Sequence, residues 1–459
     1  HCAITCGNMV PSKSNMSLAV HLQKAEYHLQ NRVVKNAEAL FGCVSCCPGA
    51  FMCIKFSVFD NVLNIFVGQN LAPDACFLRN VIDLGEDRYL TSVMLTSLGE
   101  QTTFCMSALC STEVPGDFHA LITQRRRWFN SSFCNDIFLI CEAFYQTWTM
   151  IYCSKSIKNS SRPHVGNIEW KHNDPAPNLQ TQKSRRRGSY IATVTHNSTI
   201  DDILRRKDQK TYFRWRLPYV FVSALLRAIG SVLSPGFAIL LMFQIGLFAQ
   251  MQSLIDHALL ILIIKGVILL WIFFIFVTFA IIGKNKKSWF AKNEKKWVEI
   301  QTGLAVMFMV IGFAAVLTYS ETTNRKIVLV GIVCAVVVLI VSIAQISDYR
   351  AGSGPPLFFS FVIYLTVGIP FFAFIQPVYA FAQIDNFTWG TREAKKEKNS
   401  EKNTKIDRSI LWQKLFCWFS VLIINVAFFL LYIFLPTQRL NFVMAGITAL
   451  SFAYFLLCG

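Results

Sequence analysis

Polar and apolar residues follow two different patterns along this chain. Up to residue 131 the pattern is mixed, and after residue 210 long apolar stretches dominate. Between Met16 and Leu40 apolar residues recur about every 3.6 positions, which predicts a helix. A shorter helix is predicted at Asp87–Leu95 and a strand at Thr102–Leu109. Helices and strands mixed over residues 1–131 predict part of an α/β domain with a modest core.

The stretch between these two parts has two patterns of its own. Residues 132–153 carry aromatic and branched side chains at helical spacing, with Asp136 and Glu142 among them. This pattern predicts an amphipathic helix that lies in the membrane interface rather than crossing the bilayer. Residues 154–210 are polar, contain prolines and have few apolar positions, which predicts a disordered insert.

The last part of the chain is made of membrane-length segments. A bilayer core about 30 Å thick needs about 20 residues of helix. Residues 211–381 hold five candidates, a polar loop covers 382–410, and residues 411–459 hold two more. The predicted spans are 217–249, 258–283, 302–319, 326–346, 356–381, 411–435 and 440–458.

The Lys and Arg residues of the loops indicate how these spans are oriented in the membrane, but two loops give conflicting orientations. The lysines between 284 and 296 mark that loop as cytoplasmic by the positive-inside rule. With residues 1–131 in the cytoplasm and all five spans crossing, loop 382–410 would lie outside, although it too is rich in Lys and Arg. Either one early segment fails to cross, or the charge rule fails here.

Composition supports a membrane protein. The 459 residues are 53% hydrophobic and 15% charged, whereas soluble domains carry about 25% charged residues. The net charge of +17 is spread over loops, and the apolar segments favour cytoplasmic loops that follow the positive-inside rule over nucleic-acid binding. The 15 cysteines follow no framework spacing, and Cys43-x-x-Cys46 has no second pair, so reduced thiols are predicted rather than a zinc site.

Two short runs have the composition of a site for a diphosphate-linked sugar. A carboxylate is needed to take a proton from the attacking hydroxyl, guanidiniums hold a departing diphosphate, and a flat aromatic ring supports a sugar. Each run alone also fits a structural alternative: a helix-terminal ion pair for the first, and a juxtamembrane anchor for the second. The runs are Gly85-Glu86-Asp87-Arg88 and Gln124-Arg125-Arg126-Arg127-Trp128.

Together the two runs resemble the signature of the chitin synthases, which are processive, inverting family 2 glycosyltransferases. Pro48-Gly49, within residues 41–51, resembles the family's acceptor-side motif, although Cys47 stands where an aliphatic residue is common. Trp389-Gly390-Thr391-Arg392 resembles the family's late motif, and its expected role is capping or packing at the membrane face.

The resemblance implies a membrane protein in which the C-terminal half of an α/β GT-A glycosyltransferase domain precedes an α-helical transmembrane bundle. It implies transfer of N-acetylglucosamine from UDP-GlcNAc to growing chitin, which then passes across the bilayer. The expected location is the plasma membrane, with the catalytic domain in the cytoplasm and no nucleic acid as partner; a homodimer is left open. The alternatives are another processive synthase, making hyaluronan or a β-glucan, and a non-enzymatic multi-pass transporter.

The resemblance also assigns roles to residues. Asp87 is the expected base, held and tuned by Glu86 and Arg88. Pro48-Gly49 would form a rigid turn beside the acceptor. Arg127 is placed either in the substrate site or against acidic lipid headgroups. Gln124, Arg125 and Arg126 resemble residues that contact the diphosphate, and Trp128 resembles the residue that meets the acceptor sugar.

One feature of the family is missing from the sequence. These enzymes bind UDP and a divalent cation, Mg²⁺ or Mn²⁺, through an Asp-x-Asp motif, and no Asp-x-Asp occurs here. The cation ligands are therefore expected upstream of His1, and the sequence is expected to be a fragment that is inactive alone.

Overall fold

The computed structural model contains a small sheet with its helices and a set of long apolar helices. The polar insert beyond residue 157 and Trp389–Arg392 lie outside the described residues, as do the predicted spans at 326–346 and 440–458. The structure describes residues 2–12, 16–59, 62, 76–157, 216–236, 238, 258–284, 289–318, 354–387 and 403–434.

The described sheet has three strands in the order β2-β1-β3. The central strand β1 (Ile4–Pro11) is antiparallel to β2 (Met52–Ile54) and parallel to β3 (Thr102–Thr112), with Ile4 opposite Thr102. Most of β1 is buried, as expected of a strand paired on both edges. The strand predicted at Thr102–Leu109 is confirmed as part of β3.

The helices of this first part were largely predicted by periodicity. Helix α1 (Leu18–His28) begins after Ser17, whose Oγ accepts a hydrogen bond from the Val20 N–H at 3.4 Å. It runs through a π-helical segment (Leu29–Val34) into α2 (Lys35–Leu40). Helices α3 (Cys76–Ile82) and α4 (Glu86–Thr96) follow, so both helices predicted before residue 100 are confirmed.

The next helix corrects a predicted boundary. Helix α5 (Phe118–Ile157) is continuous over 40 residues, so the boundary predicted between 131 and 132 falls inside it. It also extends past residue 153, where the insert was predicted to begin. No glycine or proline interrupts this stretch, and its polar residues near the predicted boundary are buried against other elements. Asn130, for example, donates to the Gln383 carbonyl at 3.3 Å.

The apolar part is helical where it is described. Three stretches among the described residues are long and apolar enough to cross a membrane: Arg216–Gly236, Phe359–Ala382 and Ser409–Ala427. The elements are α6 (Arg216–Gly236), α7 (Ala258–Lys284), α8 (Trp289–Lys292), α9 (Glu294–Thr318), α10 (Gly354–Ile363), two π-helical turns (Tyr364–Gly368 and Pro370–Ile375), α11 (Gln376–Ala382) and α12 (Asn403–Phe434).

The two parts share one core. Leu121 and Phe133 of α5 belong to the same buried cluster as Phe371 and Phe374 from the segment 354–387. The Phe133 and Phe381 rings meet edge to face, with centroids 4.9 Å apart. The segment 354–387 therefore packs on the sheet-bearing part as well as on the apolar helices.

Candidate active site

The acceptor-side loop lies against the helix that carries the two carboxylates. A Cβ atom added to Gly49 would lie 3.8 Å from the Cβ of Asp87. The Cys47 N–H donates to Thr91 Oγ1 at 3.1 Å, and that hydroxyl donates to the Asp87 carbonyl at 2.8 Å. Two motifs that are separate in sequence are thus joined at the start of α4.

Both carboxylates occupy the first turn of α4, directly after Gly85. The Asp87 carboxylate accepts a hydrogen bond from the Arg88 N–H at 2.8 Å, and the positive end of the helix dipole stabilises negative charge there. Burial raises the pKa of Glu86, the negative charge of Asp87 adds to that shift, and the positive charge of Arg127 opposes it. Asp87 is half-buried.

A close helix contact brings the arginine run to these carboxylates. A Cβ atom on Gly85 would lie 1.6 Å from the Ser131 Oγ of α5, so only glycine fits at this contact. Arg127 lies one helical turn before Ser131. Burial lowers its pKa, while the negative charges of Glu86 and Asp87 act in the opposite direction. Arg127 therefore lies within electrostatic reach of both carboxylates.

The other two arginines point elsewhere, because successive residues of a helix are rotated by about 100°. Arg125 is 3% exposed, and its Nε donates to Glu26 Oε2 of α1 at 2.9 Å. Its guanidinium also lies over the Trp128 ring, 4.1 Å from the centroid. Gln124 accepts from Arg125 Nη1 at 2.6 Å. This cluster holds Trp128 in place beside α1.

Arg126 is enclosed by the segment that follows α11. It is 2% exposed, and its Nη1 donates to the Asn386 carbonyl at 2.7 Å. Burial lowers its pKa, while the negative charges of Glu294 and Asp385 act in the opposite direction. Arg126 thus links α5 to residues 383–387.

The described residues do not offer a set of metal ligands. Within the ranges that the structure covers, no three His, Cys, Asp or Glu side chains cluster as ligands would. Glu86 and Asp87 are accompanied by the cations Arg88 and Arg127 rather than by further carboxylates.

Several residues around the site were not identified from the sequence. Glu26 meets Arg125, which is 99 positions away, so no local pattern connects them. Asp136 was noted as a charge within an apolar stretch, but its partner was not identified: Arg227 Nε of α6 lies 2.8 Å from Asp136 Oδ1. Glu38 joins the same pair from α2.

Comparisons with known proteins point in one direction. A family model described as chitin synthase matches residues 2–147 and 297–419. Chitin synthase 8 of Mycosarcoma maydis is 34% identical over 143 residues, which is 29% of this chain and 7% of that protein. Chitin synthase E of Aspergillus fumigatus is 32% identical over 143 residues, covering 29% and 8%. Chitin synthase 4 of Pyricularia oryzae is 34% identical over 142 residues, covering 28% and 12%. The chain therefore matches only a small part of the length of these relatives.

Proposed function

The chain belongs to the chitin synthase family, and from this we propose that the whole protein transfers N-acetylglucosamine from UDP-GlcNAc to the non-reducing end of growing chitin. The observation that carries the proposal is the meeting of three stretches at one place. Gly49 lies beside Asp87, and Arg127 lies within electrostatic reach of Asp87 and Glu86. A base, a cation for the leaving group and a close-approach glycine are what such a transfer needs.

In the proposed reaction, the Asp87 carboxylate takes the proton of the acceptor hydroxyl. The acceptor oxygen forms a bond to the anomeric carbon of the donor sugar. The bond from that carbon to the diphosphate breaks, and UDP leaves with the electron pair. One displacement inverts the anomeric centre and needs no covalent intermediate. The Arg88 N–H that bonds to Asp87 fixes the carboxylate in place for this step.

The three arginines have different roles in this proposal. Arg127 lies within electrostatic reach of the carboxylates, and we assign it the role of stabilising charge on the leaving diphosphate. Arg125 and Arg126 would have to leave Glu26 and the Asn386 carbonyl to touch a substrate. We therefore assign them positioning roles: Arg125 orients Trp128, the acceptor-side aromatic ring, and Arg126 holds the segment after α11.

The fold proposed for the first part is the GT-A type that the family resemblance implies, with a mixed sheet flanked by helices. Family 2 glycosyltransferases generally use a divalent cation. The described residues hold no ligand set for such a cation.

We base the proposed membrane topology on the contacts that the apolar segment 354–387 makes at its two ends. Near one end, His21 Nδ1 of α1 lies 2.9 Å from Ser360 Oγ. At the other end, Asn80 Nδ2 of α3 donates to the Ile384 carbonyl at 2.7 Å. Both ends thus contact the sheet-bearing part, although residues 359–382 have the length and composition of a membrane span. We propose that this segment lies along the membrane surface.

This placement resolves the conflict between spans and charge. With 356–381 at the surface, four predicted spans remain between residue 217 and residue 346. If all four cross the membrane, their even number returns the chain to the side on which it started. Loops 284–296 and 382–410 then both face the cytoplasm, as their lysines and arginines require. A plasma-membrane location with the catalytic part in the cytoplasm completes the proposal.

No observation favours the alternatives. The three relatives reported above are named chitin synthases, not hyaluronan or glucan synthases, and nothing in the described residues points to a transporter.

The test is the product made by the whole protein. Membranes that contain it are expected to convert labelled UDP-GlcNAc into a polymer that chitinase digests, and to make no polymer from UDP-glucose or UDP-glucuronic acid. A polymer resistant to chitinase, or built from another donor, would contradict the proposal.

A further inference from the structure

A buried cluster of three charges lies outside the proposed site. Arg227 of α6 donates from Nε to Asp136 Oδ1 of α5 at 2.8 Å, and its Nη1 lies 3.2 Å from Glu38 Oε1 of α2. The three side chains are only 16%, 9% and 2% exposed, in that order. One guanidinium therefore joins three helices, one of which is a candidate membrane span.

One arm of the cluster holds the acceptor-side loop. Glu38 accepts hydrogen bonds from the Ser45 N–H at 3.1 Å and the Ser45 hydroxyl at 2.7 Å. Two residues later the Cys47 N–H bonds to Thr91, and Gly49 follows beside Asp87. The loop is thus fixed at its start by Glu38 and further along by α4.

The other arm reaches the helix that carries the proposed base. Burial raises the pKa of Asp136, and the positive charges of Arg227 and then Arg88 act in the opposite direction. Arg88 directly follows Asp87 and lies within electrostatic reach of both Asp87 and Asp136. The cluster is therefore joined to the acceptor-side loop by hydrogen bonds and influences the helix of Asp87 through its charge.

Membrane anchoring does not explain this geometry. An arginine that only reached toward the bilayer surface would extend to water or lipid headgroups. Arg227 instead extends toward two buried carboxylates of the sheet-bearing part, and a fork of N–H donors is suited to bind both at once.

We infer that Arg227 is a positioning residue that couples helix α6 to the acceptor-side loop, so that the placement of this membrane helix fixes how Gly49 sits against Asp87. This inference rests on the proposed function for its consequence in catalysis. The structural part of the inference, that Arg227 fixes Ser45 through the Glu38 carboxylate, does not depend on that function.

The first test is amide hydrogen exchange in the whole protein, which needs no activity. Arg227→Met is expected to speed exchange in residues 43–49 by about tenfold or more, because breaking one side of a buried ion pair exposes the loop's hydrogen bonds. Exchange in the part of β3 that does not bond to this loop, residues 104–112, is expected to stay unchanged. Ile229→Ala, on the exposed face of α6, is the matched control and should leave both regions as in the wild type. Equal acceleration in the loop and in β3 would show a general stability role and overturn the inference.

The second test separates transfer from donor turnover. Arg227→Met is expected to lower polymer synthesis by about tenfold or more while hydrolysis of UDP-GlcNAc by water persists, because the acceptor is misplaced but the donor is not. Arg227→Lys keeps the positive charge but loses the forked N–H donors of the guanidinium, so polymer synthesis and loop exchange are expected to lie between those of the wild type and of Arg227→Met. This variant replaces Arg227→Met in the test if the Met variant fails to fold. Synthesis and hydrolysis falling together, or synthesis matching Ile229→Ala, would overturn the inference. A wild type without transferase activity would instead remove the proposed function.

Discussion

Two glycines of the site have different physical reasons to be glycine. Gly85 is packed so closely on Ser131 that no Cβ fits, whereas a Cβ on Gly49 would make an ordinary contact with Asp87. Gly85→Ala is therefore expected to destabilise the protein by about 1–3 kcal/mol through overpacking between α4 and α5. Gly49→Ala is expected to leave stability nearly unchanged and to lower transfer, because the added methyl group takes space beside the base.

Thermal unfolding and polymer synthesis, measured on the same preparations, test this contrast. Gly230→Ala is the matched control, because a Cβ there meets nothing within 4 Å and alanine suits a helix. If Gly85→Ala unfolded at the wild-type temperature, the close contact between α4 and α5 would be wrong.

Which residues form the site stays a prediction from the sequence, and the directions in which their side chains point could not be predicted from it. Gln124 to Trp128 was predicted as a single substrate-binding run. On a helix, three consecutive arginines must face three sides, and which side faces Asp87 depends on the contact of Gly85 with Ser131. That contact joins residues far apart in sequence, so no local pattern reveals it. The assignment of the diphosphate contact to Arg127 remains a proposal.

At the scale of elements, the periodicity of apolar residues predicted those helices and strands that the local sequence determines. The helices at Leu18–Leu40 and Glu86–Thr96 and the strand Thr102–Thr112 have clear repeats of apolar positions. The boundary predicted between residues 131 and 132 falls inside helix α5, next to Asn130 and Ser131. These residues are buried against Gln383 and Gly85, partners that a sequence window does not contain.

Hydropathy also cannot tell which apolar surface faces lipid. Residues 359–382 are apolar enough to cross a membrane, yet half of this stretch is buried by the protein itself. Phe371, Phe374 and Phe381 face α5 or the apolar helices rather than a bilayer. A segment covered on one side by a folded domain needs apolar residues for that reason alone.

At the scale of the whole molecule, the account predicts which loops face the cytoplasm. Epitope tags inserted at Lys286 and at Lys395 are expected to bind antibody only in permeabilised cells, because the proposed topology puts both positions on the catalytic side. A tag at Thr322, between the predicted spans 302–319 and 326–346, is the control and is expected to bind without permeabilisation. Antibody binding to the Lys395 tag on intact cells would show that residues 356–381 cross the membrane.

The account depends most on Asp87 acting as the base of a glycosyl transfer. The direct measurement compares Asp87→Asn with Asp83→Asn, a matched substitution of a partly exposed carboxylate that pairs with Arg79. In membranes with labelled UDP-GlcNAc, Asp87→Asn is expected to lower polymer synthesis by about 100-fold or more, since a general base contributes at least that much. UDP binding should be retained, and Asp83→Asn should remain active. Synthesis by Asp87→Asn near the wild-type rate would contradict the account.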